Sequence, residues 1–303
     1  MFVERHLIEL RRDRYTPAAW VRYVRGALAH ARERGIANPS AVRSILFVGL
    51  MLFLAALAAA GLLAVVVDAD LARSAFGWTV VGLVPMIALT VLHVDLVRDR
   101  AGTPLDALGW PSAITLTRVA LVPAFIVFAV DGRYRLAFAV FLVAILSDVI
   151  DGWVARRFRQ ETLFGTILDP LADILCTFWL FFGLWLGGLV PPVIYALATL
   201  RMTMLLVGGA YLHLTHGPVH IHSTIPGKMT GLLVTALVTA RLVFAAFDAG
   251  ATEARLMPLI FDALVVLLAF TVASGWVAGW LNLRRLQKRG KSAPVVTDVR
   301  FGS

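Results

Sequence analysis

The sequence predicts an all-α integral membrane protein, and three observations carry that prediction. Apolar residues fill 59% of the 303 positions and charged ones only 16%, whereas an ordinary soluble domain has about a quarter of its residues charged. Apolar runs of roughly twenty residues recur along the chain, the length that crosses a bilayer as a helix. The basic residues, which give a net charge of +9, gather at alternate ends of those runs. That placement directs the positive charge to an anionic membrane surface and excludes nucleic acid as a partner. The single Cys176 rules out an intramolecular disulfide and, inside an apolar run, serves packing.

Taken in order, residues 1–44 form a basic leader without the pattern of a cleavable signal peptide. In it Trp20, Tyr23, Val24, Ala27, Leu28 and Ala31 recur at helical spacing, with Arg22, Arg25 and Arg32 between them. This predicts an amphipathic helix on the inner leaflet, where phospholipid charge attracts arginine. Two spans follow at 45–67 and 77–97, then six more at 116–131, 135–151, 166–187, 190–212, 229–247 and 257–281. The third and fourth are short for a bilayer and lean on their flanks. Residues 103–114, TPLDALGWPSAI, read as a second interfacial segment with Trp110 at headgroup depth. The expected organisation is a leader (1–44), two additional transmembrane helices (45–100), a six-helix unit (101–285) and a basic, disordered tail (286–303).

Orientation follows from the cations. With the Arg-rich leader in the cytoplasm, the segments holding Arg98, Arg100, Arg156, Arg157, Arg159 and Lys228 face the same side, as does the tail with Arg284, Arg285, Lys288, Arg289 and Lys291. The opposite loops carry few cations: Arg73, Arg133, Arg135 and Arg255. Eight spans with both termini cytoplasmic satisfy this pattern.

Between the fourth and fifth spans stands SDVIDGWVARRFRQETLFGTILDPLADI, with Asp148, Asp151, Asp169 and Asp173. Asp148 and Asp151 are three apart and Asp169 and Asp173 four apart, so each pair shares a helix face. The short connection returns the chain to the same membrane side, so the two pairs can converge. Each carboxylate costs about 2.5–3.5 kcal/mol at a membrane helix centre, somewhat less near the surface. A divalent cation offsets that cost and the mutual repulsion, and all-oxygen ligands favour Mg²⁺, Mn²⁺ or Ca²⁺ over zinc. Gly152 and Ala155 leave room for phosphates to approach, and Arg156 adds a fixed positive charge. Metals beside arginine and small residues suit a diphosphate substrate whose leaving group must be stabilised. One of the four aspartates could instead take a proton from an attacking hydroxyl. The plainer alternative is that these are helix-end residues, with Asp169 before Pro170 favouring a helix N-terminus.

Asp148-x2-Asp151-Gly152-x2-Ala155-Arg156-x8-Gly165-x3-Asp169-x3-Asp173 resembles the CDP-alcohol phosphotransferase (CDP-alcohol phosphatidyltransferase) family at every fixed position of its motif. The resemblance covers about residues 103–285, the family's six-helix bundle, and leaves the leader and first two spans outside. It implies transfer of a phosphatidyl group from CDP-diacylglycerol to an alcohol with release of CMP, a step of phospholipid biosynthesis. It implies two divalent ions, Mg²⁺ or Mn²⁺, held by Asp148, Asp151, Asp169 and Asp173, with Asp173 also the catalytic base. Gly152, Ala155, Arg156, Gly165 and Thr115 would border CDP. WPSAITLTRVALVP is similar to the family's entry into its first helix, where Pro111, Ile114, Thr115 and Arg118 fit. Ser112 stands there in place of Asn, and Ile174 in place of the Lys common after DPLAD in the phosphatidylglycerophosphate-synthase branch. A multi-pass bacterial or archaeal cell membrane location, a cytoplasmic active site and a homodimer are further family expectations.

Acceptor choice should follow charge near the pocket. Arg201 lies deep in the sixth span, where an isolated cation is costly and usually functional, and Lys228 opens the seventh. With Arg118 they form a candidate acceptor site resembling the phosphatidylglycerophosphate-synthase and cardiolipin-synthase-like branches. Cations there suit a phosphorylated alcohol such as glycerol 3-phosphate. Inositol phosphate, serine, choline and phosphatidylglycerol are the alternatives, and neutralising the Asp cluster is the other role open to Arg201. Arg241 reads as snorkelling. His213, His216, His220 and His222 read as a hydrated interfacial loop. A membrane prenyltransferase places its two Asp motifs many helices apart, and leaves Gly152 and Arg156 unexplained. A transporter or scaffold would bind ions without releasing CMP.

Overall fold

The computed structural model describes residues 12–13, 15–99, 101–158, 162–216, 225–247 and 250–290, with backbone alone for 148–149, 151–158, 212–216, 225–228, 251, 278 and 281–290. The described residues form helices α1 (Pro17–Ala37), α2 (Pro39–Val66), α3 (Ala69–Leu92), α4 (Trp110–Val130), α5 (Tyr134–Phe158), α6 (Leu163–Leu186), α7 (Pro192–His216), α8 (Ile225–Phe247) and α9 (Ala251–Gly290), with a 3₁₀ turn at Val94–Leu96. Among them, α2–α4 and α6–α9 are long and apolar enough to cross a membrane, and α5 adds a shorter apolar stretch, Tyr134–Ser147. The fold is an all-helical integral membrane protein, as the composition predicts.

Local chemistry sets the boundaries. Thr16 caps α1 by accepting from the Ala19 amide, and Pro17 follows at the first helical turn. One residue, Asn38, separates α1 from α2: its amide closes on the Arg34 carbonyl, while its side chain caps the Ala41 amide. Pro39 cannot continue α1 and starts α2 instead. The second span begins at Ala69 rather than 77 because Asp68 accepts from the Leu71 amide at 2.7 Å, which lets the polar DLARS stretch join the helix. The third begins at Trp110, so the last five residues of the expected interfacial segment are its first turn. The fourth continues to Phe158, carrying Asp148, Asp151 and Arg156 on one unbroken helix.

Helix α4 is central, packed against α3, α5 and α6, while α9 lies against α7 and α8. The main core joins Phe125, Phe128, Phe141, Phe181, Leu184, Ile194, Val238, Leu242, Leu264 and Leu268. Without a hydrophobic drive between helices in lipid, close backbone approach matters. At Gly187 a Cβ would lie 2.5 Å from the Ala129 carbonyl oxygen, so only glycine lets the end of α6 meet α4. A smaller core gathers Ala41, Ile45, Val94, Val97, Leu108, Leu116 and Phe164, tying the two additional helices to α4 and α6.

Arg241 does not snorkel. Its Nε donates to the Leu189 carbonyl at 2.7 Å, and its Nη1 meets Glu253 Oε1 at 3.1 Å. Nearby, Arg135 donates to the Ala246 carbonyl and the Tyr134 hydroxyl to the Gly187 carbonyl. With partners at hand in the next helix and loop, this guanidinium need not reach for water.

Candidate functional site

The candidate site lies where α5 ends, α6 begins and α4 makes its first turns. Thr162 caps α6, its hydroxyl accepting from the Gly165 amide at 2.9 Å. Helix α6 therefore starts six residues before Asp169, and the Asp169–Pro170 step lies within it. That removes the helix-end explanation for Asp169. Pro170 is tolerated inside a membrane helix where neighbours satisfy the freed backbone groups.

From α4, the buried Thr115 hydroxyl lies 3.0 Å from Asp169 Oδ1 and 3.1 Å from the Pro111 carbonyl, within reach of both for its one proton. One turn on, the guanidinium of Arg118, only 7% exposed, sets Nη1 3.0 Å from Asp173 Oδ1. Two residues of α4 thus address the two carboxylates of α6 in register, because Thr115 and Arg118 are three apart and Asp169 and Asp173 four apart. Ser112 stands beside Gly165: a Cβ on that glycine would lie 3.4 Å from Ser112 Oγ, 3.3 Å from Thr162 Oγ1 and 3.8 Å from Asp169 Oδ2. Glycine lets the start of α6 pack this closely against Ser112 of α4.

A cavity of about 330 Å³ continues from Asp173 into the bundle. Arg118, Asp173, Thr177, Arg201 and Thr235 supply its polar lining, with Gly231 and apolar residues of α4 to α8 around them. Arg118 and Arg201, 83 positions apart in sequence, face one space. Thr177 and Thr235 escaped sequence reading, although signals existed: Thr177 lies four residues after Asp173, and Thr235 seven after Lys228, on shared helix faces. A larger groove, about 970 Å³, runs along α3, α4 and α6 and is mostly apolar. It holds neither Asp169 nor Asp173, and Cys176 lines both spaces.

The side chains of Asp148, Asp151, Gly152, Ala155, Arg156 and Lys228 lie outside the described residues, as do the side chains of His213, His216, His220 and His222. Among the described residues no three His, Cys, Asp or Glu side chains converge as a metal site. The described half is nonetheless chemically suited to a hard divalent cation, since Asp169 and Asp173 offer carboxylate oxygens one turn apart on α6.

A sequence model of the CDP-alcohol phosphatidyltransferase family matches residues 108–277. The chain is 33% identical over 130 residues to the CDP-diacylglycerol--glycerol-3-phosphate 3-phosphatidyltransferase of Aquifex aeolicus, covering 41% of this chain and 70% of that protein. It is 32% identical over 103 residues to human cardiolipin synthase (CMP-forming), covering 33% of this chain and 34% of that one. It is 44% identical over 68 residues to the Pseudomonas fluorescens CDP-diacylglycerol--glycerol-3-phosphate 3-phosphatidyltransferase, covering 22% and 35% respectively. The chain thus spans about a third of the length of the latter two relatives. No solved structure matches it.

Proposed function

This chain belongs to the CDP-alcohol phosphatidyltransferase family, and from that premise we propose that it transfers a phosphatidyl group from CDP-diacylglycerol to glycerol 3-phosphate, releasing CMP. The observation that carries the choice of acceptor is the cavity shared by Arg118, Arg201 and Asp173. Two guanidiniums in a membrane interior suit a ligand that brings its own negative charge, and Arg matches phosphate with paired N–H donors. Two of the relatives named above carry glycerol 3-phosphate in their names.

In this proposal Asp148, Asp151, Asp169 and Asp173 hold two divalent ions, Mg²⁺ or Mn²⁺, which when bound neutralise the diphosphate and stabilise departing CMP. Thr115 orients the Asp169 carboxylate. Gly165 and Ser112 leave space for the nucleotide, with Gly152, Ala155 and Arg156 along its other side. Arg118 fixes Asp173 toward the cavity, where that carboxylate takes the proton of the acceptor hydroxyl as its oxygen attacks phosphorus. Arg201 and Lys228 hold the acceptor phosphate, and Arg118 borders it. Leu121, Phe125 and Phe141 of α4 and α5 give the cavity an apolar wall beside these charged groups.

A second acceptor, phosphatidylglycerol, is favoured by the match to a cardiolipin synthase. The deciding experiment supplies purified protein with CDP-diacylglycerol, Mg²⁺ and one acceptor at a time, and measures CMP. Release with glycerol 3-phosphate alone supports the proposal. Release only with phosphatidylglycerol replaces the acceptor, and release with neither defeats both assignments.

A further inference from the structure

The two additional helices and α1 do more than precede the bundle. Helix α1 has three faces. Ala19 is buried and Tyr23, Gly26, Ala27 and His30 are half-buried against the protein, and past Leu28 the buried Ala31 ends the exposed strip. Trp20, Val21, Val24 and Leu28 are exposed, and at 3.6 residues per turn they fill an arc of about 100°. Arg25 and Arg32 follow along one edge of that arc, and Arg22, paired with Asp13, lies further round. An apolar strip bordered by arginine is the pattern of a helix lying in a lipid headgroup layer. The fold fixes where this strip sits: Asn38 alone joins α1 to the membrane-spanning α2, so α1 leaves at the level where α2 enters the bilayer.

The protein face of α1 leads to the candidate site. His30 Nε2 lies 3.5 Å from Asp95 Oδ2 in the 3₁₀ turn. Arg98 Nε donates to the Asp95 carbonyl at 2.7 Å, and the Arg98 carbonyl accepts from the Leu163 amide at 3.0 Å. Leu163 is the first residue of α6, where an amide has no acceptor within its own helix. The next residue, Phe164, packs with Ala41, Ile45 and Val97. Gly165 and Asp169 follow within two turns.

We propose that α1 docks on an anionic phospholipid surface through Trp20, Val21, Val24, Leu28, Arg25 and Arg32, and that this docking steadies the first turn of α6 through Asp95 and Arg98. The docking itself stands apart from the chemistry, whereas its bearing on turnover rests on the proposed phosphatidyltransferase activity. Each arginine near an anionic leaflet contributes about 1 kcal/mol, so removing two weakens docking on the order of thirtyfold.

The test is residue-resolved amide exchange on the full chain, in phosphatidylcholine vesicles with and without phosphatidylserine. Wild-type protein should show slower exchange in residues 17–37 and at Leu163 when phosphatidylserine is present. The Arg25→Gln/Arg32→Gln protein, and wild-type protein at high ionic strength, should lose both effects. Equal exchange of residues 17–37 in the two vesicles overturns the docking, and a change there without one at Leu163 overturns the coupling. CMP release measured in the same vesicles separates the two ideas. A protein that never releases CMP removes the transferase assignment and leaves the exchange result standing.

Discussion

Arg118 Nη1 stands 3.0 Å from Asp173 Oδ1, joining a buried guanidinium on α4 to a carboxylate 58% exposed on α6. The pair sits at the mouth of the cavity that also holds Arg201. A proton acceptor fixed in this way should be lost without loss of the nucleotide site. Asp173→Asn is expected to lower kcat by about 10²–10⁴, with CDP binding still measurable by calorimetry. Arg118→Met should impair turnover as well, and combining the two should cost much less than the sum of the single effects, because contacting residues are coupled. Normal turnover by Asp173→Asn would remove it from the base role.

The Thr115 hydroxyl beside Asp169 gives a milder prediction. Thr115→Val keeps the shape and removes the donor, a net effect of about 0.5–1.5 kcal/mol, or up to about tenfold. The loss should appear as a higher Mg²⁺ concentration for half-maximal CMP release, with the KM for the acceptor unchanged.

Arg201 should report on the acceptor. Hydrogen bonds to charged groups contribute about 1.5–3 kcal/mol, so Arg201→Gln is expected to raise the KM for glycerol 3-phosphate by roughly ten- to a hundredfold. The KM for CDP-diacylglycerol should stay near the wild-type value. Equal rises in both would place Arg201 outside the acceptor site.

Chelation tests the carboxylate cluster directly. EDTA should abolish CMP release, and Mg²⁺ or Mn²⁺ should restore it, whereas zinc should restore little, since an all-oxygen set suits harder cations. Full activity after exhaustive metal removal would contradict the proposed role of all four aspartates.

Far from this chemistry, Arg241 and Glu253 offer a stability measurement. The pair is partly buried, its side chains 12% and 27% exposed, so removing one partner should cost less than the roughly 3–5 kcal/mol of a fully buried pair. Arg241→Met should therefore lower the thermal midpoint in detergent more than the double variant Arg241→Met/Glu253→Gln does. A midpoint equal to wild type for the single variant would show that the clasp contributes little.

Much of this molecule was legible in the chain because membrane folding obeys few rules. Lipid forces backbone hydrogen bonds inside each helix, so apolar length announces a span, and all eight proposed spans correspond to helices. Boundaries were harder. Asp68 and Thr162 act through single side-chain caps, which extended the second span backward to Ala69 and the fifth to Leu163. Spacing alone put Asp169 and Asp173 on one face.

What the linear order could not decide was company. Arg118 and Asp173 are 55 positions apart, Arg118 and Arg201 83 apart, and Arg241 lies beside a loop carbonyl 52 positions earlier. Such pairings depend on which helices pack together, and that is set by side-chain volumes and close backbone approaches such as Gly187 against Ala129. Helix length and amphipathic pattern are local properties, written in neighbouring residues. The partner of a buried charge is a property of the packed bundle, because only there does its desolvation have to be offset.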